Sequence, residues 1–229
     1  MMKEYRSDRI RNLAIVSHGG AGKTSLTEAL LFSAGAVNRL GRVDDGTAVT
    51  DFEPEEVKRK ITISTGLAPC EWQENKINFL DTPGYSDFCG EIKGALRAVE
   101  SSLLVVCAAS GIEVDTEKVW NYSSELGLPR IIFINKMDRE NADFFSVVSS
   151  LQERFGKGVL PLSIPIGSED SFSGIIDLLT QTAYAGQNPI AVPPDQSAQL
   201  EEWRQNMLET IAETDDALLN KYLEGQDLN

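Results

Sequence analysis

The sequence predicts an α/β protein built on a mostly parallel, doubly wound sheet. Three observations carry that prediction. Apolar runs at residues 13–17, 102–109 and 130–134 alternate with stretches of helical periodicity, the pattern of strands buried on both faces and joined by helical crossovers. A β-branched run at 61–72 and an alternating run at 76–81 read as one antiparallel pair joined near Glu74-Asn75. A glycine-rich turn, Ser17 to Thr24, sits between the first strand and the first helix.

The elements follow in order. Residues 23–34 place Leu26, Ala29, Leu30 and Ala34 at helical spacing. Residues 88–100 and 114–126 read as helices. A further helix at 141–155 carries Phe144, Val147, Val148 and Leu151 on one face. The style changes after about Gly158. Residues 160–167 are strand-like but interrupted by proline, and 187–194 read as a loop. Asp195 is placed to cap one helix running to about Leu223, with Leu200, Trp203, Met207, Leu208, Ile211, Leu218 and Tyr222 on its apolar stripe. The expected organisation is a core domain at 1–158 and a smaller subdomain at 159–229.

Thirty-five acidic residues against 21 basic ones give a formal net charge of −14. That disfavours broad electrostatic binding to nucleic acid or to an anionic membrane by this segment. Cys70, Cys89 and Cys107 are widely spaced and form no metal-ligand pattern. The charged N-terminus has no signal-like apolar core, and no apolar run approaches spanning length. A reduced, cytoplasmic setting is expected.

Three motifs carry the chemistry. In the first, Gly19, Gly20 and Gly22 let successive backbone N–H groups of Ser17-His-Gly-Gly-Ala-Gly-Lys-Thr24 turn inward at a helix N-terminus, an anion nest. His18, Ala21 and Ser25 complete this cradle, and His18 is read as packing or hydrogen-bonding rather than catalytic. Lys23 is placed to charge-pair with β- and γ-phosphates, and Thr24 to ligate Mg²⁺. The second is Asp81-Thr82-Pro83-Gly84 at a strand end. Asp81 is expected to hold Mg²⁺, and the Gly84 N–H to approach the γ-phosphate where no side chain fits. Between these two lies Thr62, a candidate Mg²⁺ ligand on a segment that closes only with the γ-phosphate present. The charged run 51–60 before it reads as a solvated loop.

The third motif, Asn135-Lys136-Met137-Asp138, selects the base. A carboxylate at Asp138 accepts from both the N1–H and N2–H₂ of guanine. Adenine lacks that donor pair and would leave the carboxylate unpaired. The order phosphate loop, D-x-x-G, N-K-x-D reads as a P-loop GTPase fold that takes GTP and GDP.

Together these residues resemble the G domain of the translational GTPases, most closely elongation factor G. Further stretches share the resemblance: Gly111 to Trp120, Asn135 to Arg139, and Ile164 to Leu178, which is similar to the opening of the inserted G′ subdomain. It covers essentially all of residues 8–229. Ser17-His18 and Ala21 to Thr24 are also similar to peptide chain release factor 3. The resemblance implies Mg²⁺-dependent GTP hydrolysis, slow in isolation and stimulated by a ribosome, with Tyr85, Lys23 and Gly84 as catalytic candidates. The rival readings are a GTP-binding switch or scaffold with negligible hydrolysis, and a release-factor-3-like or ribosomal-protection GTPase.

Four departures stand out. Tyr85 occupies a position that the family usually gives to a histidine orienting the attacking water; a phenol offers a hydroxyl where an imidazole offers ring nitrogens. Gly20 replaces an acidic residue. Lys60 replaces a glycine before Ile61-Thr62. The family's last guanine-contacting motif, a Ser-Ala pair after a sixth strand, is not met, because Ser197-Ala198 follows a proline-rich loop. The expectation is an N-terminal fragment whose strand at 130–134 forms a sheet edge that the full protein covers.

Overall fold

The computed structural model describes residues 3–226. The chain divides into two compact units, Met1–Lys136 and Met137–Asn229.

The first unit is a five-stranded sheet in the order β2-β3-β1-β4-β5: β1 (Ile10–Val16), β2 (Gly66–Trp72), β3 (Asn75–Asp81), β4 (Ser101–Cys107) and β5 (Arg130–Asn135). The β3-β1-β4-β5 pairs are parallel, and β2 pairs antiparallel with β3. Helix α1 (Lys23–Ser33) covers one face. Its Leu31 packs with Ile15, Ala68, Phe79, Leu103 and Val105. Residues alternate across a strand, so Ala14, Val16, Leu104 and Val106 face the opposite way. They are buried too, on the side where α3 (Cys89–Arg97) meets β1 and α4 (Val114–Glu125) meets β4. Burial on both faces is why these strands lack alternation in sequence.

Two expectations change here. The antiparallel strand starts at Gly66, not Ile61, and its turn is Gln73-Glu74, both left-handed at φ 45° and 62°. The N–H groups of Ile63 and Ser64 donate to the Glu56 carboxylate, both at 2.9 Å. A side chain has taken the donors that a ladder would use. The run 51–60 is also not a solvated loop. It forms α2 (Pro54–Arg59), closed by a capping box between Glu53 and Glu56. Glu56 and Asp51 are buried.

The second unit opens with α5 (Phe144–Phe155), capped by Asp143 accepting from the Ser146 N–H at 3.0 Å. An antiparallel meander follows: β6 (Ser163–Ile166), β7 (Gly174–Asp177), β8 (Thr182–Ala185) and β9 (Asn188–Ile190). Then come α6 (Ser197–Ala212) and α7 (Asp216–Leu223). Ile164, Ile176, Leu178, Ala183, Leu200 and Met207 form its core, with Phe144, Phe145 and Trp203 against them. The rings of Phe145 and Trp203 stack at 5.6 Å. The Glu169 N–H donates to the Met137 carbonyl at 2.8 Å, and the Asn141 N–H to the Glu169 carboxylate at 2.6 Å. These bonds tie residues 137–155 to the meander. The compact-unit boundary therefore lies at 136/137, upstream of residue 158.

The helix expected from Asp195 to Leu223 is two helices. Asp195 lies in a short 3₁₀ turn and makes no side-chain cap. The break comes at Asp215, whose carboxylate accepts from the N–H groups of Ala217 and Leu218 at 2.8 and 3.2 Å. A strong N-cap inside an apolar stripe starts a new helix although the periodicity runs on. The stretch 187–194 also gives up three residues to β9. Among the described residues no helix is long and apolar enough to cross a membrane.

Candidate functional site

The phosphate loop leaves β1 at Val16 and enters α1 at Lys23. Gly20 and Gly22 are left-handed, at φ 80° and 99°, a conformation that costs any residue with a Cβ. At Gly22 a Cβ would also lie 2.4 Å from the Asn135 amide nitrogen. That amide donates to the Ala21 carbonyl at 2.9 Å, and the Lys136 ammonium donates to the Gly20 carbonyl at 2.6 Å. Both carbonyls thus turn toward the end of β5. In a trans peptide the following N–H points the other way, so the amides of Ala21 and Gly22 face the opposite side. Two side chains of the tetrapeptide assigned to the base therefore also shape the phosphate loop. Asp138 is exposed and lies in the second compact unit.

Lys23 is buried, and its amine donates to the His18 carbonyl at 3.0 Å. Burial pulls its pKa down to about 8, against the favourable fields of Asp81 and Asp115. A buried cation next to a nest of N–H groups is poised for an anion. Ser25 lies exposed in the first turn of α1.

Thr82 anchors the second motif, its hydroxyl donating to the Ile15 carbonyl at 2.7 Å. Gly84 is wedged in: a Cβ there would sit 2.5 Å from the Lys23 amine and 2.8 Å from the Gly19 Cα. Tyr85 follows, about half exposed. The D-x-x-G strand end and the phosphate loop thus meet through backbone at Gly84.

The candidate metal residues converge. The hydroxyls of Thr24 and Thr62 are 3.0 Å apart, and Thr62 donates to Asp51 Oδ1 at 2.8 Å. Asp81 accepts from the Thr50 hydroxyl at 2.8 Å through Oδ2, while its buried Oδ1 has no partner among the described residues. Burial raises the Asp81 pKa to about 6, and the Thr50 hydrogen bond and the neighbouring Thr24 hydroxyl oppose the shift. An orphaned buried carboxylate oxygen beside hydroxyl oxygens suits a hard divalent cation, which takes oxygen ligands. Mg²⁺ fits this donor set.

Asp51 was missed from sequence. It sits in a charged run with no motif of its own, and only folding of α2 brings it to Thr62. Burial raises its pKa, and the Thr62 hydrogen bond opposes that. Glu28 was missed as well. Its buried carboxylate accepts from the N–H groups of Gly41 and Val49 at 3.0 and 2.5 Å, holding the segment that leads to Asp51.

His18 is engaged through both ring nitrogens. Its Nε2 lies 3.0 Å from the Glu113 carboxylate and its Nδ1 3.0 Å from the Thr116 hydroxyl. Burial holds its pKa below the ordinary value, with Glu113 opposing. The network assigns the proton to Nε2, which donates to Glu113, while Thr116 donates to Nδ1. His18 thus fastens the phosphate loop to the start of α4.

The Asp81 shift sets a measurable cost. At pH values below its ordinary 3.8 the carboxyl is neutral in both folded and unfolded chains, and no penalty exists. The penalty grows as pH rises and is complete above about 6. A shift of this size corresponds to roughly 3 kcal/mol. Asp81→Asn should therefore stabilise the metal-free protein at pH 7.5 and change it little at pH 4, read by urea denaturation. Equal effects at both pH values would contradict this origin of the strain.

Residues 8–225 match the family model described as the elongation factor Tu GTP binding domain. A crystal structure of a protein from Thermus thermophilus superposes with a TM-score of 0.91 at 40% sequence identity, covering 96% of this chain and 34% of that one. This chain spans about a third of that protein's length. A family match over nearly the whole chain joins a parallel sheet carrying a phosphate loop, a D-x-x-G strand end and an N-K-x-D turn. The chain belongs to the elongation factor Tu GTP-binding-domain family and is a translational GTPase G domain.

Proposed function

We propose that this chain is the G domain of an elongation-factor-G-like translation factor. In this reading it hydrolyses GTP to GDP and phosphate with Mg²⁺, slowly by itself and faster on a ribosome, in the cytoplasm. The observation that carries it is the convergence of Thr24, Thr62 and Asp81, whose Oδ1 has no partner among the described residues; Asp81 shares its motif with Gly84, which is wedged against the phosphate loop. The meander that follows α5, with the 40% identity to a much longer protein, supports the elongation-factor-G-like assignment. Residues 1–158 then form the G-domain core and 159–229 a G′-like subdomain.

Mg²⁺ would be held by Thr24 and Thr62, with Asp81 directly or through water, and would neutralise charge on the phosphates. The N–H groups of residues 19–24 and the Lys23 amine cradle the β- and γ-phosphates. The Gly84 N–H meets the γ-phosphate, and Tyr85 orients water by its hydroxyl. Asn135, Lys136 and Asp138 hold the guanine.

Single-turnover GTP hydrolysis by the full-length protein, with and without ribosomes, tests the reading. Tyr85→Phe should slow hydrolysis by about 10-fold or more, the scale of one lost hydrogen bond. A second reading, a GTP-binding switch that hydrolyses negligibly, is favoured by Tyr85 and Gly20. It predicts no loss with Tyr85→Phe and a large gain with Tyr85→His. Normal GTP binding with no hydrolysis on ribosomes would sink the enzymatic reading.

A further inference from the structure

Gly19 differs from the other two glycines of the phosphate loop. Gly20 and Gly22 are left-handed and need glycine for their backbone. Gly19 has no positive φ, so any L residue could adopt its backbone conformation. What a side chain would meet there is Tyr85. A Cβ at Gly19 would lie 2.9 Å from Cζ, 3.0 Å from Cε1 and 3.3 Å from Cε2 of that ring. These are the atoms at the hydroxyl-bearing end of the phenol.

The ring is also fixed from both sides along the chain. Gly84, just before it, is wedged against the Lys23 amine and the Gly19 backbone. Ser86, just after it, donates to Asp115 at 2.5 Å and accepts from the Lys118 ammonium at 2.6 Å. Lys118 in turn pairs with Asp115 at 2.8 Å. The half-exposed ring therefore opens toward solvent on one side and rests on the bare Cα of Gly19 on the other. Backbone conformation does not explain a glycine at this position, whereas the ring above it does.

We infer that Gly19 is a positioning residue for Tyr85: its missing side chain seats the phenol on the phosphate loop, with the hydroxyl end beside the first glycine of the nest. The inference rests on the proposed GTP hydrolysis and deepens it by naming what aims the tyrosine. It also joins the six-membered ring at 85 and the bare glycine at 19 as one steric pair. An imidazole is a smaller ring and lacks the atoms that approach Gly19 most closely. A branched side chain at 19 should therefore be incompatible with tyrosine and tolerable with histidine.

The test is a mutant cycle on the full-length protein with ribosomes. Gly19→Val should lower the single-turnover rate by about 10- to 100-fold, the scale of a group displaced by about an ångström. GTP affinity should fall much less than the rate, because residue 19 keeps the backbone N–H that it gives the nest. Gly19→Ala should fall between wild type and Gly19→Val. Adding Tyr85→His in the Gly19→Val background should recover part of the lost rate. An unchanged rate in Gly19→Val, a matching loss of GTP affinity, or strictly additive effects of the two changes would each overturn the inference. If the wild type hydrolyses no GTP, the proposed function fails, and the seat is read directly from 3-fluorotyrosine at position 85 by ¹⁹F NMR of the GDP complex. Gly19→Val should then shift that resonance while Gly94→Ala, at an open helical position, leaves it in place. An unshifted resonance would overturn the seat as well.

Discussion

Lys23→Met is expected to lower GDP and GTP affinity by roughly 30- to several thousandfold while leaving the nucleotide-free protein at least as stable as wild type. The two halves have one cause. The amine is buried, and burial pulls its pKa to about 8 from the ordinary 10.5. Below about 8 it is charged in both the folded and unfolded chains, so the folded protein carries the full desolvation cost, on the order of 3 kcal/mol. That cost fades only as pH climbs from about 8 toward 10.5. The amine donates to the backbone carbonyls of Ser17 and His18, which do not repay a buried charge. A phosphate anion does. Removing a desolvated charge from such a pair costs about 2–5 kcal/mol of binding. Methionine fills similar volume without the charge, so the apo fold is relieved as the complex is weakened. Titration calorimetry with GDP and urea denaturation of the nucleotide-free protein measure the two halves. Unchanged GDP affinity would remove Lys23 from the phosphate site, and a marked loss of apo stability would show that its carbonyl bonds outweigh its desolvation.

Asp138→Asn is expected to exchange the base preference. The carboxylate offers two acceptors to the N1–H and N2–H₂ edge of guanine. An amide offers one acceptor and one donor, the complement of the N1–H and C2 carbonyl of xanthine. A site built around hydrogen bonds rejects a base that leaves its groups unpaired by far more than a lost contact, by up to about 10⁴-fold. GDP affinity should therefore fall by at least about 100-fold, and xanthosine diphosphate should become the better competitor. Asp138 is exposed, so the melting temperature of the nucleotide-free protein should hardly move. Competition binding with GDP, XDP and ADP decides this. Equal GDP affinity in the variant and wild type, or equal GDP and ADP affinity in the wild type, would overturn the guanine assignment.

The parallel sheet was legible because its central strands, β4 and the second half of β1, are buried on both faces. A run such as Leu103, Leu104, Val105, Val106 admits few other readings, and the structure buries all four. The phosphate loop was legible because Gly20 and Gly22 occupy backbone conformations that other residues resist. The segment 51–65 was not legible. Its β-branched residues argue for a strand, yet the Glu56 carboxylate takes the N–H groups of Ile63 and Ser64, and that depends on α2 being in place against the chain. The break at Asp215 was missed for a related reason. Apolar spacing continues across it, while the capping carboxylate that interrupts the helix is a local competitor that periodicity does not register.

What the sequence by itself determined was the family, the glycine-rich turn between the first strand and the first helix, and the class of sheet. Each is written in residue types at short spacing, where local geometry leaves little freedom. Only the tertiary structure decided which distant groups meet. It brought Asp51 to Thr62, set the orphaned oxygen of Asp81 in a buried oxygen cluster, and turned Asn135 and Lys136 onto the loop carbonyls. It also laid the Tyr85 ring on Gly19, two residues far apart in the chain. Contacts of that kind depend on how packed elements exclude or admit a few atoms. No periodicity encodes them, because the cost of a single misplaced Cβ is felt only once the core has closed.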